Sequence, residues 1–179
     1  MLVVKASRQE TERLLRVAEN DFEVACANHP TAHVVAGPKD QMPAIIIEAQ
    51  KAGLATLELD VPFAFHSSQV EPILSEFEAS TAQAGVIFSS PKVPFISPLL
   101  GRVVSKGEES TLNISYLVQA SRCLVDFSTA LTVAQVHGLS GNGVIWLEVG
   151  AHPLCTSMIK QTLSTEEQVL NVERELGRL

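Results

Sequence analysis

The chain has 179 residues, 13 Lys/Arg against 20 Asp/Glu for a net charge of −7, and 46% hydrophobic residues. That length suits one domain or two small subdomains burying roughly 70% of the unfolded surface, and so apolar a composition implies either a large core or a face that meets another segment. No Lys/Arg cluster tracks a phosphate backbone, no apolar run reaches the ~18 residues of a membrane span, and the three cysteines, Cys26, Cys123 and Cys155, lack metal-ligand spacing, which argues against nucleic acid, a membrane, a disulfide framework and a resident metal.

The start, Met1 to Lys5, is too short and wrongly flanked for a signal peptide, so the expected compartment is the reducing cytoplasm, and Leu2 to Lys5 reads as a strand. Ser7 with Glu10 three residues later is a capping box, opening a helix striped by Leu14, Leu15 and Ala18. Phe22 to Ala27 and Ala32 to Ala36 read as strands around the turn Asn28-His29-Pro30-Thr31. Gly37-Pro38 precedes a helix from about Lys39 to Lys51, Gly53 stops it, and Ala55 to Leu59 is a fourth strand. This β-α-β-β-α-β order over residues 1–60 is ferredoxin-like.

Residues 61–165 differ. Asp60-Val61-Pro62 links to a predicted helix from Gln69 to about Ala84, with Ile73, Leu74 and Phe77 on one face and Pro72 tolerated in the first turn. Pro91 to Pro98 is expected to be extended, and Ser105 to Ser110 to be a polar loop. Two helices are predicted, about Ile114 to Ala120 and Phe127 to Val136, then an apolar strand from Val144 to Val149 and a helix from about Leu154. Residues 166–179 read as a tail. A single strand leaves its N–H and C=O groups without neighbours, so further strands are expected outside this chain. The fold class is α/β: a ferredoxin-like subdomain followed by part of a larger α/β unit.

His66 lies in the apolar run Phe63-Ala64-Phe65-His66-Ser67. A neutral imidazole there is either a proton acceptor working near pH 7 or a satisfied core residue. Ser67 is a poor nucleophile for it, because neighbours on an extended chain point to opposite faces. Gly138-Leu139-Ser140-Gly141-Asn142 precedes a strand, whereas a nucleophile elbow follows one; it reads as a turn. Glu148 and His152 flank a turn and are expected to be structural. An unrelated hydrolase using Ser67 or Ser140 is the weakest reading.

The segment Pro62-Phe63-Ala64-Phe65-His66-Ser67-Ser68-Gln69-Val70-Glu71-Pro72-Ile73-Leu74 resembles the histidine segment of acyltransferase domains. These load malonyl units from coenzyme A onto acyl carrier proteins in fatty acid and polyketide synthesis. The likeness is strongest to the malonyl transacylase domain of fungal non-reducing polyketide synthases. Glu148-Val149-Gly150-Ala151-His152-Pro153 is similar to that family's E-[IV]-G-P-H-P turn, with Ala151 in place of the proline. Phe22 to Asn28, Val34 to Pro38 and Ser97 to Gly101 fit as well, and Tyr116-Leu117-Val118-Gln119-Ala120-Ser121-Arg122 stands where the family has Y-W-x-x-N-x-R.

The resemblance implies the C-terminal part of an α/β-hydrolase-like acyltransferase large subdomain over residues 61–165. It implies His66 as general base of a Ser–His dyad, and Ala120 as the backbone carbonyl that orients it, with Leu117 and Ala120 replacing the family's Trp and Asn. Phe65 and Ala64 would line the substrate site, Phe65 disfavouring an α-methyl branch by about 1–3 kcal/mol. Gly150, His152 and Pro153 would form a structural turn. The substrate would be malonyl-CoA, with no cofactor bound. The partners would be an acyl carrier protein and the front half of the domain, which carries the family's serine, Gln and Arg. No Gly-x-Ser-x-Gly occurs in these residues. The alternative is a catalytically inactive remnant or carrier-protein-binding module.

Overall fold

A computed structural model describes residues 1–18, 21–141, 143–150, 152–163 and 168–171. β1 (Leu2–Lys5) alternates, burying Leu2 and Val4. α1 (Arg8–Ala18) starts at the expected capping box, where Ser7 N donates to Glu10 Oε2 at 2.9 Å and Glu10 N to Ser7 Oγ at 3.3 Å. β2 (Glu23–His29) and β3 (Ala32–Ala36) form a hairpin. A 3₁₀ turn (Lys39–Gln41) leads into α2 (Met42–Lys51), and β4 (Ala55–Glu58) closes the unit.

The strands lie in the order β4-β1-β3-β2, every neighbour antiparallel, as a ferredoxin-like unit requires. Leu14 of α1 and Met42, Ile45 and Ala49 of α2 pack on Leu2, Val4 and Val35, with Phe22 sealing one end. Gly37 is needed there: a Cβ would lie 2.4 Å from Phe22 Cδ1.

Beyond residue 60, a 3₁₀ turn (Ser68–Val70) precedes α3 (Glu71–Gln83), so the helix begins two residues later than Gln69. Of the stretch Pro91 to Pro98, only β5 (Phe95–Ser97) is a strand, paired with β6 (Arg102–Val104) across a turn where Gly101 has φ 61°. α4 (Ile114–Arg122) is capped by Asn113, whose Oδ1 accepts from Tyr116 N at 2.8 Å. β7 (Val125–Asp126) follows and pairs parallel with β2, so the second region adds a fifth strand to the first region's sheet. No reading of apolar period finds a two-residue strand.

α5 (Phe127–Val136) and α6 (Leu154–Leu163) pack on each other and on β2. Leu131, Ile159 and Leu163 form a small core there, joined by Phe127 and Trp146. β8 (Ile145–Glu148) is not alone: β9 (Gln168–Asn171) runs parallel to it, within the segment expected to be a tail. That correction has a simple cause. Gln168-Val169-Leu170-Asn171 is too short and mixed to announce a strand by itself. The other side of β8 stays uncovered, with Ile145, Leu147 and Val149 exposed.

Candidate active site

The chain leaves β4 through Asp60-Val61-Pro62 and returns to the sheet at Ala64, which is buried against Ala25 and Ala36. Phe63 and Phe65 flank it, 66% and 46% exposed, with ring centroids 6.1 Å apart at 69°. Small size at Ala64 lets the backbone approach the sheet, while the two rings stand outward.

His66 follows with φ 58° and is the one non-glycine residue in the left-handed region among those described. Such a conformation is uncommon for residues with a Cβ and marks a locally determined geometry. It turns the imidazole so that Nδ1 lies 3.0 Å from the carbonyl oxygen of Ala120. A carbonyl only accepts, so Nδ1 carries the proton and Nε2 keeps the lone pair. The sequence-predicted pair, His66 and Ala120, is thus brought together across 54 residues.

Ala120 supplies a free carbonyl because of its place in α4. The helix ends at Arg122, and the N–H of Cys123 already bonds to Gln119 O. The last carbonyls of a helix have no intrahelical donor, and they carry its negative dipole end. His66 fills that position with its Nδ1–H.

Ser67 is 1% exposed, donates from Oγ to Ala64 O at 2.6 Å, and accepts from Gln69 N at 3.3 Å. It is a turn-former with its hydroxyl engaged. Ser140 lies in the turn between α5 and β8, with Gly138 at φ 71° and Gly141 at φ 98° on either side; Asn142 lies outside the described residues.

Glu148 caps α6, accepting from Cys155 N at 2.9 Å, Thr156 N at 2.8 Å and Thr156 Oγ1 at 2.5 Å. Burial pushes its carboxyl up, but the bonds from Thr156 and Cys155 outweigh it and leave it below the usual carboxylate range. Gly150, His152 and Pro153 are exposed turn residues, and His152 O accepts from Leu154 N at 2.9 Å; Ala151 lies outside the described residues. Among the described residues no cluster of three or more His, Cys, Asp or Glu side chains could hold a metal, and no helix is long and apolar enough to cross a membrane.

A second set of contacts around His66 was not singled out from the sequence. Arg122 Nη1 donates to Glu23 Oε2 at 2.9 Å and Arg122 Nε to Glu71 Oε1 at 2.6 Å, while Glu23 Oε1 accepts from Ser68 N at 2.8 Å. Burial pushes the Glu23 carboxyl up, yet the bonds from Ser68 and Arg122 hold it below its ordinary value. Glu23 and Arg122 are 99 residues apart, so no local spacing signals the pair.

The acyl transferase domain family matches residues 1–179 throughout. A non-reducing polyketide synthase, phnA, of Penicillium herquei is 43% identical over 172 residues, covering 95% of this chain and 8% of that protein. The atrochrysone carboxylic acid synthase of Passalora fulva is 41% identical over 170 residues, covering 95% of this chain and 9% of that protein. The chain therefore spans less than a tenth of either relative. Among solved structures, the acyltransferase domain from the second module of the salinomycin polyketide synthase superposes with a TM-score of 0.81 at 27% identity, over 96% of this chain and 38% of that one. A malonyl CoA-acyl carrier protein transacylase from Clostridium perfringens shares the fold, with a TM-score of 0.79 at 17% identity over 99% of this chain and 55% of that one. With an α/β fold of this kind and a match along its whole length, the chain belongs to the acyl transferase domain family, in the type found in polyketide synthases.

Proposed function

We infer that the chain contributes the histidine base to a malonyl-transferring acyltransferase site, whose serine nucleophile comes from a part of the domain outside residues 1–179. The observation that supports this most is the bond from His66 Nδ1 to the Ala120 carbonyl at 3.0 Å. It leaves Nε2 as a proton acceptor and fixes the imidazole against the C-terminal end of α4.

In this reading Nε2 takes the serine proton as the hydroxyl attacks the malonyl thioester carbonyl. The tetrahedral species expels the coenzyme A thiolate, which the imidazolium protonates. The carrier protein's thiol then loses its proton to Nε2 and attacks the malonyl-serine ester, and that proton returns to serine. One thioester is exchanged for another, and protons balance. Phe65 restricts the room beside the reacting carbon, which favours malonyl over an α-methyl analogue by about 1–3 kcal/mol.

The test joins residues 1–179 to the front part of the acyltransferase domain of the Penicillium herquei synthase. Labelled malonyl is then followed from coenzyme A to a carrier protein. Transfer is expected, with His66→Ala reducing the rate on the order of 10²–10⁴-fold and Phe65→Ala admitting methylmalonyl. An unchanged rate in His66→Ala refutes the base assignment. Saturable transfer by residues 1–179 alone refutes the need for an outside nucleophile. No transfer from the joined protein favours the inactive, carrier-binding reading.

A further inference from the structure

We propose that Arg122 is a positioning residue for His66, acting through a closed ring of bonds; this rests on the reading of His66 as the base. The ring runs from His66 along the backbone to Ser68, whose N–H donates to Glu23 Oε1 at 2.8 Å. Glu23 Oε2 accepts from Arg122 Nη1 at 2.9 Å, Arg122 stands two residues beyond Ala120 on α4, and the Ala120 carbonyl accepts from His66 Nδ1 at 3.0 Å. Arg122 Nε also holds Glu71, the first residue of α3, at 2.6 Å. One helix end thus supplies both the carbonyl that orients the ring and the guanidinium that anchors the backbone carrying it.

A histidine at φ 58° needs such surroundings, because a left-handed residue with a Cβ persists only where neighbours determine it from several sides. Ser67 Oγ on Ala64 O fixes the segment from before, and Glu23 and Glu71 fix it from after. The ion pairs are partly open to solvent, with side-chain exposures of 27% for Arg122, 35% for Glu23 and 56% for Glu71. Pairs of that exposure add little to stability, so this network bears on where Nε2 sits more than on whether the protein folds. Two carboxylates on adjacent guanidinium nitrogens need a fork, which the point charge of lysine does not reproduce.

The experiment uses the complete acyltransferase domain carrying residues 1–179 and measures single-turnover malonylation of its serine by malonyl-CoA. Variants are Arg122→Ala, Arg122→Lys, His66→Ala and the His66→Ala/Arg122→Ala double. We expect Arg122→Ala to lower the acylation rate about 10–100-fold with the half-saturating malonyl-CoA concentration within about twofold. Arg122→Lys should recover only part of that loss. In the His66→Ala background, Arg122→Ala should cost nothing further, since the residue acts through the imidazole. An unchanged rate in Arg122→Ala, or an equal loss with and without His66, overturns the proposal alone. A wild-type rate in His66→Ala overturns the base reading and the proposal with it. Should Arg122→Ala not fold, Glu23→Gln enters the same cycle with the same expectations.

Discussion

The two regions of this molecule bury their apolar residues differently. Residues 1–60 close a core of their own, with Leu2, Val4, Val35, Ile45 and Ala49 fully buried between one sheet face and two helices. Beyond residue 60 the largest core has Leu131, Ile159 and Leu163 at its centre, while Ile87, Val93, Val136 and the outer side of β8 are exposed. The first region closes one face of its sheet with its own helices, while β7, α5 and α6 of the second region pair with or pack on β2. The second leaves more of its large apolar side chains open to solvent. His66 lies where they meet: Ala64 anchors it to the first region's sheet, and Ala120 comes from the second.

Truncations of equal size in the two cores sharpen this contrast most. Ile45→Ala opens a cavity enclosed on all sides and is expected to cost about 3–5 kcal/mol, whereas Leu131→Ala, beside open surface that can collapse, should cost nearer ~2 kcal/mol. Urea unfolding of the chain measures both. A larger loss at Leu131 would mean that the second region is the better-packed one.

How much of this was legible depends on the range of the interaction. The capping box Ser7/Glu10, the hairpin around Pro30 and the strand Ala55 onward are local, and each follows from a few adjacent residues. The His66–Ala120 pairing was readable only through motif resemblance, since nothing in the periodicity joins residues 54 apart. β7 was invisible because two residues, Val125 and Asp126, carry no period; parallel pairing with β2 makes them a strand. β9 likewise exists by virtue of β8. Arg122 showed only as the last residue of the segment matched to Y-W-x-x-N-x-R, with no partner indicated, because its carboxylate partners come from distant elements.

A smaller effect concerns His33, on the first region's sheet. It is buried on β3, with Nδ1 3.1 Å from Ala6 O. Burial pushes its pKa down, and the opposing influences of the Ala6 carbonyl, Asp126 and Glu12 do not restore it; Arg8 lowers it further. The folded value therefore lies below the unfolded value of about 6.5. As pH falls through that value the unfolded chain takes up the proton first, so stability is intact above it and declines below it. Unfolding midpoints at pH ~7.5 and ~5.5 should differ in that direction, and His33→Gln should reduce the difference. A slope unaltered by His33→Gln assigns the pH dependence to other groups.

The smallest expected change is the most informative about the open face. On β8, Trp146 turns into the second core while Ile145 and Leu147 point the other way, 57% and 60% exposed. That alternation is the strand's two-residue period, with one face packed and the other bare. Replacing an exposed leucine costs within about 0.5 kcal/mol, so Leu147→Ser should leave the unfolding midpoint of the 179-residue chain nearly unchanged. In a complete acyltransferase domain that covers this face, the same substitution buries a hydroxyl and removes a packed side chain, and should cost about 2–5 kcal/mol. The difference between the two measurements is the share of Leu147 that its own chain leaves to a partner. Equal losses in both would place Leu147 in a core the chain closes by itself, and the contrast in exposure between the two regions would fail at β8.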